Sequence, residues 1–221
     1  MKRTLIAFLL VFGAVACVRV PFQETELVPL GSEDPRGIVE RFQASIPESF
    51  QLLSTVVFEY NWRAFPPVLG YVDISTKDHS FNVVGINPMG VKLFELSGDR
   101  SSVTTRYAIA AFTRYGDIGA AVGNDIRRIY FDLVPSPNAA VGKHRYRIVF
   151  RQPFDQGTLE YVYAGQGDLV EKNYYEDQAL VWRVRYYEYT GQNGKRWPRG
   201  ILFLNYRYGY RLTIRHKEFH A

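Results

Sequence analysis

The chain has 221 residues, of which 47% are hydrophobic and 15% aromatic, with 16 tyrosines and 15 phenylalanines. This length suits a single domain, and the aromatic and aliphatic bias favours β-structure because such side chains fit a half-buried pleated surface. The formal net charge is only +5 and is spread along the chain, so we predict no nucleic-acid partner.

The first 17 residues have the pattern of a secretory signal. Lys2 and Arg3 precede an apolar run from Leu5 to Val15. This run is shorter than the about 20 residues that a permanent membrane-spanning helix needs. We therefore predict a signal peptide over residues 1–16, whose removal leaves a formal charge of 5 − 2 = +3.

Cys17 is the single cysteine in the sequence and directly follows Ala14-Val15-Ala16. A bacterial lipoprotein is cleaved at such a position and its new N-terminal cysteine is acylated. Acylation would also remove a lone reactive thiol from an oxidising compartment. Ala14 stands where lipoproteins usually have leucine, so the alternative is ordinary cleavage that releases a soluble secreted protein. Val18 is not the aspartate that commonly retains lipoproteins at an inner membrane, so we expect an outer-membrane, periplasm-facing protein.

Residues 17–34 contain two prolines and no sustained hydrophobic period, and we interpret them as a lipidated tether. The sequence leaves open whether a piece of this tether packs on the body of the domain. Asp34 before Pro35 is typical of a helix start. Apolar residues at near-helical spacing then predict a helix from Pro35 to Ala44.

Two runs of short strands follow, separated by a second predicted helix over Asp117–Phe131. The first run comprises Ser54–Trp62, Val68–Ser75, His79–Ile86, Val91–Leu96 and Ser102–Ala110. The second comprises Arg145–Gln152, Thr158–Ala164, Asp168–Tyr175, Ala179–Thr190, Arg199–Asn205 and Tyr208–Glu218, with a hairpin turn at residues 191–194.

This order predicts a mainly β (α+β) fold with one domain over residues 35–221. We expect a curved antiparallel sheet, or incomplete barrel, of about 11 strands with helices covering its concave face. Incomplete covering would leave a hydrophobic cavity. The candidate cavity residues are Phe58, Tyr60, Trp62, Phe81, Val83, Ile148, Phe150, Trp182, Val184 and Tyr186.

The sequence has no recognisable catalytic or metal-binding motif. Its four histidines lack metal-ligand spacing on a predicted helix. Four carboxylates lie close together in the sequence: Asp168, Glu171, Glu176 and Asp177. Two of them in a cleft could act as a hydrolytic pair, but we interpret the cluster as a solvated loop between strands. We therefore predict a protein that is not an enzyme and that has no metal and no cofactor.

The order of anchor cysteine, helix, meander, helix and second meander resembles the LolA/LolB-like superfamily of bacterial lipoprotein carriers and receptors. The turn Val84-Gly85-Ile86-Asn87-Pro88-Met89-Gly90-Val91 belongs to this resemblance. It implies an incomplete barrel with helices as a lid over a cavity for acyl chains. It also implies that Met89 matches the apolar residue that serves delivery into the membrane, while the alternative is that Met89 folds back under the turn.

Two functions remain open from the sequence. The first is a monomeric, membrane-anchored protein that binds the acyl chains of lipids or lipoproteins in envelope trafficking. The second is a structural or assembly lipoprotein of the cell envelope whose interior is filled by its own side chains. An empty apolar cavity under the helices would favour the first hypothesis, and a packed interior would favour the second.

Overall fold

A computed structural model describes residues 20–114 and 116–221. The predicted signal peptide and Cys17 lie outside the described residues. The described chain forms a 13-stranded, wholly antiparallel sheet with three helices. The sheet is open, because β6 and β7 at its two edges do not pair with each other. The predicted mainly β fold with a curved, unclosed sheet is therefore confirmed.

The elements in chain order are α1 (Pro35–Ser45), β1 (Ser49–Tyr60), β2 (Arg63–Ala64), β3 (Val68–Ser75), β4 (Ser80–Ile86), β5 (Lys92–Gly98), β6 (Val103–Ala108), α2 (Ala110–Thr113), α3 (Ile118–Tyr130), β7 (Ala140–Lys143), β8 (Arg147–Phe154), β9 (Gly157–Ala164), β10 (Asp168–Glu176), β11 (Ala179–Gln192), β12 (Lys195–Asn205) and β13 (Tyr210–His220).

The sheet follows the order β6-β5-β4-β3-β1-β13-β12-β11-β10-β9-β8-β7, and β2 pairs with β1. Most neighbours are consecutive hairpins. The exception is β1, which lies between β3 and β13, so the two meanders predicted from the sequence join at the β1–β13 ladder. The short strands β2 and β7 match no predicted strand, and they raise the number of strands from the expected 11 to 13.

Both predicted long helices are present, and their caps explain where they begin. In α1, the Asp34 side chain accepts a hydrogen bond from the Gly37 amide (2.9 Å), and Pro35 occupies the first turn. In α3, the Asp117 side chain accepts from the Ala120 amide (2.9 Å). Both helices bury one face against the inner side of the sheet.

Close contact with the sheet holds α3, whose two glycines weaken it as an isolated helix. A Cβ atom on Gly119 would lie 2.4 Å from the Thr105 hydroxyl oxygen, and one on Gly123 would lie 2.3 Å from a Val103 methyl group. Thr105 and Val103 belong to β6. The glycines therefore let the α3 backbone approach the sheet edge more closely than any other residue would allow.

Residues 20–34 are the described part of the predicted tether, and they pack on the body in two places: Phe22 lies on the outer face of the sheet, whereas Leu30 joins the interior cluster. Phe22 stacks on Tyr187, with ring centroids 5.3 Å apart, and lies over Gly200. The Leu30 amide donates to the Arg145 carbonyl (3.0 Å), and Leu30 itself is buried. Within the described part of the chain, no helix is both long and apolar enough to cross a membrane.

Candidate functional site

Seven of the ten candidate cavity residues lie together on the inner face of the sheet, where none is more than 5% exposed: Phe81, Val83, Ile148, Phe150, Trp182, Val184 and Tyr186. All seven belong to one apolar cluster that also contains residues of α1 and α3. Strand alternation places them there because every second side chain faces the helices. The structure thus brings together residues from strands β4, β8 and β11.

The remaining three candidates come from the end of β1 and differ from the other seven. Phe58 is half-buried and packs against Tyr210 and Phe65. Tyr60 is 45% exposed at the end of the strand. Trp62 is 92% exposed and lies in the turn after β1, so the prediction that it continues the inner face of this strand is wrong. The β1–β2 hairpin ends the strand two residues earlier than the alternation suggested.

The space between helices and sheet is filled by side chains of the chain itself. Ile38 and Phe42 of α1 and Ile129 of α3 are each at most 6% exposed and pack in the same cluster as the inner strand faces. A groove of about 520 Å³ lies instead on the outer face of β8–β11. Charged side chains such as Arg151, Glu160 and Arg185 line it, which makes it a poor site for an acyl chain.

A polar cluster lies inside this apolar interior, at the C-terminal end of α3. Its donors come from three adjacent strands, and its acceptors are backbone carbonyls of the helix end and the following loop. Tyr186 Oη donates to the Ile129 carbonyl (2.7 Å), Lys172 Nζ donates to the Phe131 carbonyl (2.7 Å), and Tyr163 Oη donates to the Leu133 carbonyl (3.1 Å). We call these three bonds the helix latch. The bond from Tyr186 satisfies a carbonyl in the last turn of α3, where a helix leaves carbonyls without intrahelical partners, and the other two fix the residues that follow.

Lys172 is the most unusual member of the helix latch, because a fully buried lysine is rare unless it is paired. It is 1% exposed, and burial lowers the pKa of its amine to about 7, although the charge of Asp132 opposes this shift. Its amine lies 5.9 Å from the centre of the Trp182 ring. Its position at the end of α3 suits a cation, because the helix dipole is negative there.

Sequence reasoning missed Lys172 because a β-bulge changes the alternation in β10. Leu169 pairs with Tyr163 and Glu171 pairs with Val162, so Val170 is an extra residue. Beyond this bulge, Lys172 faces inward, whereas strict alternation from Leu169 would have placed it outside. Next to it in the ladder, the buried Tyr161 hydroxyl has no hydrogen-bond partner among the described residues.

The four carboxylates do not form a solvated loop: Asp168, Glu171 and Glu176 lie in β10, where a strand was also predicted, and only Asp177 lies in the turn. Three of the four acids are ion-paired: Asp168 with Arg196 (2.8 Å), Glu171 with Arg185 (2.8 Å) and Glu176 with Arg207. No group of three potential metal ligands occurs within residues 20–114 and 116–221.

The β4–β5 loop presents Met89 to solvent. The Asn87 side-chain oxygen accepts hydrogen bonds from the amides of Met89 (3.0 Å) and Val91 (2.9 Å), and Gly90 has a φ of +84°. Met89 is 84% exposed, so the alternative that it folds back under the turn is wrong. The loop is a built turn that holds an apolar side chain away from the body.

Comparison with known proteins places this geometry in a wider group. Residues 71–218 match the model of a family described as a protein of unknown function (DUF3261). No curated protein matches the sequence.

Among solved structures, the chain is similar to a domain described as an outer membrane lipoprotein-sorting protein from Vibrio parahaemolyticus, with 11% identity, a TM-score of 0.51 and coverage of 85% of this chain and 93% of the other. It is also similar to a DUF1329 family protein from Desulfovibrio piger, with 9% identity, a TM-score of 0.50 and coverage of 85% and 91%. A LolA superfamily protein from Nitrosomonas europaea matches with 12% identity, a TM-score of 0.49 and coverage of 85% and 93%. The chain therefore shares its fold with the lipoprotein-sorting domain, which agrees with the fold that the resemblance of the sequence implies.

Proposed function

This chain belongs to the DUF3261 family of proteins of unknown function, and from its geometry we propose that it is a lipid-anchored protein that binds acyl chains of lipids or lipoproteins between its sheet and its helices. The observation that carries the proposal is an aromatic and aliphatic inner sheet face that two helices cover in a LolA-like fold. Binding would rest on burial of apolar surface, worth about 0.8 kcal/mol per methylene group. It requires no covalent chemistry.

Because the interior is filled, an acyl chain can enter only if α3 moves away from the inner face. The helix latch contributes to the cost of that movement, since it joins the end of α3 to β9, β10 and β11 by three hydrogen bonds. An acyl chain would then replace helix residues such as Ile126 and Ile129 on the sheet.

The proposed location is the periplasmic side of the outer membrane, with Cys17 as the acylated residue. The LolA-like fold supports an envelope role, and Met89 on the β4–β5 loop is the proposed contact for delivery into the membrane. Replacing Cys17 with Ala should release the protein into the soluble fraction. A membrane-bound fraction of this variant as large as that of the native chain would contradict the anchor.

The matched pair Tyr186→Phe and Tyr187→Phe tests acyl-chain binding. Tyr186 faces α3 and belongs to the helix latch, whereas Tyr187 faces the outer side of the same strand. With a fluorescent fatty acid as the probe, we expect Tyr186→Phe to bind it several-fold faster than the native chain, and Tyr187→Phe to match the native rate. Equal rates in all three chains, together with no lipid in the mass spectrum of protein purified from native membranes, would contradict binding in the interior.

A second function is favoured by the filled interior itself. Seven of the candidate cavity residues are at most 5% exposed, as they would be in a structural or assembly lipoprotein of the envelope without a ligand. Absence of co-purified lipid, with unchanged envelope association, would support this function over the first.

Met89→Glu tests delivery separately from binding. A carboxylate at this exposed position should impair transfer of an acyl cargo to acceptor vesicles, because a charge is costly at an apolar membrane contact. The variant should keep the native unfolding midpoint, since Met89 is 84% exposed. An unchanged transfer rate would contradict a role of this loop.

A further inference from the structure

Six large apolar side chains are exposed on turns at one rim of the sheet, with exposed fractions between 48% and 92%. They are Trp62, Phe65, Met89, Val91, Tyr206 and Tyr208, which we call the apolar rim. They come from the loops β1–β2–β3, β4–β5 and β12–β13. Scattered exposed apolar residues are normal on a protein surface, but a concentration of them on one edge is not.

Strand pairing explains why these distant residues share a rim. Tyr60 pairs with Tyr210, so the turn after β1 and the turn before β13 lie at the same end of their strands. Leu69 pairs with Ile86, which brings the β4–β5 loop to that end as well. The six neighbouring strands from β5 to β12 span about 24 Å along the sheet, at about 4.8 Å per strand.

The opposite rim has a different character. Its turns consist of residues 76–79, 99–102, 144–146, 165–167 and 193–194. Within the described part of the chain, none of these turns carries an exposed large apolar side chain. Leu27 and Val28 of the N-terminal segment are exposed beside His144 and Gly165 at that end, so the contrast between the two ends is a property of the strand turns.

Trp62 is held in a conformation that does not favour a bulky residue. Asn61 and Trp62 form the two-residue turn between β1 and β2, with φ values of +48° and +64°. Glycine is the usual second residue of such a hairpin turn. A strained and 92% exposed indole brings no packing to the isolated protein. This combination is expected where the side chain serves a contact outside the molecule.

The path of the N-terminal segment leads toward the same rim. Thr25 lies against Gly165 at the opposite end of the sheet, while Phe22 lies over Gly200 nearer the middle. Val20 packs against the cluster that contains Leu202, close to where β12 ends at the apolar rim. Val20 is the third residue after Cys17, a reach of about 10 Å in an extended chain.

We infer that the apolar rim seats in the interfacial layer of the bilayer, with Trp62 and Tyr208 at the level of the lipid headgroups. Amphipathic aromatic rings are enriched at that level because one end is apolar and the other is polar. Arg63 adjoins Trp62, is exposed and forms no salt bridge within the described residues, which suits an anionic headgroup. This inference rests on the proposed membrane-anchored function. The Cys17 anchor is needed only to bring the apolar rim, and not the opposite end of the sheet, toward the bilayer.

Vesicle flotation of the full chain carrying Cys17→Ala tests the rim without the anchor. The probe is vesicles of phosphatidylethanolamine and phosphatidylglycerol. We expect the additional pair Trp62→Gly and Tyr208→Ser to lower the vesicle-bound fraction about fivefold, because two interfacial aromatic rings are lost. The control is Tyr71→Ser, which removes an aromatic side chain that is 41% exposed on β3, away from the rim, and should leave binding unchanged.

A second measurement uses the acylated native chain in vesicles that contain doxyl-labelled lipid. Trp62 fluorescence should be quenched more by a label near the headgroup than by one near the chain end, and this difference should vanish in Trp62→Gly. Equal flotation of the rim variant and its parent would overturn the inference. So would a rim variant that loses only self-association in sedimentation, because the rim would then seat a second copy. Fatty acid probe binding should be native in the rim variant, so failure of the rim and failure of the interior site are distinguishable.

Discussion

Lys172 Nζ lies 2.7 Å from the Phe131 carbonyl oxygen and donates a hydrogen bond to it from the middle of β10. This bond joins the sheet to the residue that follows α3 inside an apolar interior. A buried amine there is costly unless it is paired or neutral. Lys172 therefore adds a titratable group to the attachment of α3, beside the two tyrosine hydrogen bonds of the helix latch.

Replacing Lys172 with Met should remove part of the pH dependence of stability. The folded-state pKa is about 7 and the unfolded one about 10.5, so the unfolded chain binds more protons in this range and native stability rises with pH. Relative to Lys172→Met, the free energy of unfolding of the native chain should therefore increase by about 2–3 kcal/mol from pH 7 to pH 9. Urea unfolding at several pH values measures this difference. A constant difference between the two chains would show that Lys172 is not buried as described.

His216 should make the fold sensitive to acid. Its ring lies 2.7 Å from the Ser54 hydroxyl, and burial lowers its pKa from 6.5 to about 3. Below pH 6.5 the unfolded chain takes up a proton that the native state refuses, so stability falls as the pH falls. Relative to His216→Asn, the native chain should lose about 2–3 kcal/mol between pH 6.5 and pH 4.5. The control is His220→Asn, which removes an exposed imidazole and leaves the contact between Ser54 and His216 intact.

Gly123→Ala should destabilise the protein although alanine favours helix. A methyl group at this position would lie 2.3 Å from a Val103 methyl group, and the β-branched valine has little freedom to move. We expect a loss of about 1–3 kcal/mol in thermal or urea unfolding. Gly37→Ala in α1 is the control, because its new Cβ would meet no atom closer than 3.7 Å. That variant should be neutral or more stable by up to about 1 kcal/mol, and equal losses in both variants would contradict the close-approach argument.

Trp62→Gly should stabilise the isolated protein. Glycine adopts a φ of +64° without the steric cost of about 1–2 kcal/mol that an L-residue meets there. The indole is 92% exposed, so little packing is lost. The midpoint of thermal unfolding should rise for Trp62→Gly, while Trp62→Ala should leave it near the native value. A lower midpoint for the glycine variant would mean that Trp62 packs on the body.

The helices and most strands could be predicted from the sequence because periodicity and capping residues are local signals. Val68–Ser75 was predicted with the bounds that the structure has, and Asp34 and Asp117 mark the starts of both long helices. The inward position of Lys172 could not be predicted, since the bulge that creates it depends on pairing with β9. The turn at Trp62 was hidden for a similar reason, because tryptophan continues a strand pattern that only the β1–β2 pairing ends.

The packed N-terminal segment was also beyond local signals. Phe22 has no periodic partner in sequence, and its contact surface on Tyr187 and Gly200 is assembled from β11 and β12. For seven of the candidate residues, the inward-facing side of the strand could be predicted. Side chains alternate along a strand, so one residue known to face inward assigns all the others. Whether a cavity remains beside those residues depends on how closely the side chains of α1 and α3 fill the space over the sheet. This packing cannot be predicted from the periodicity of a single segment.

The pairing of β1 with β13 has a kinetic consequence. Gln51 lies beside His220 in the ladder, so the joint between the two meanders closes a loop of nearly the whole chain. Such a contact has a high entropic cost and forms slowly, whereas each meander is made of local hairpins. Synthesis of the last strand therefore has to precede completion of the core. Until then the local hairpins of each meander can form, but the core that the two meanders share cannot.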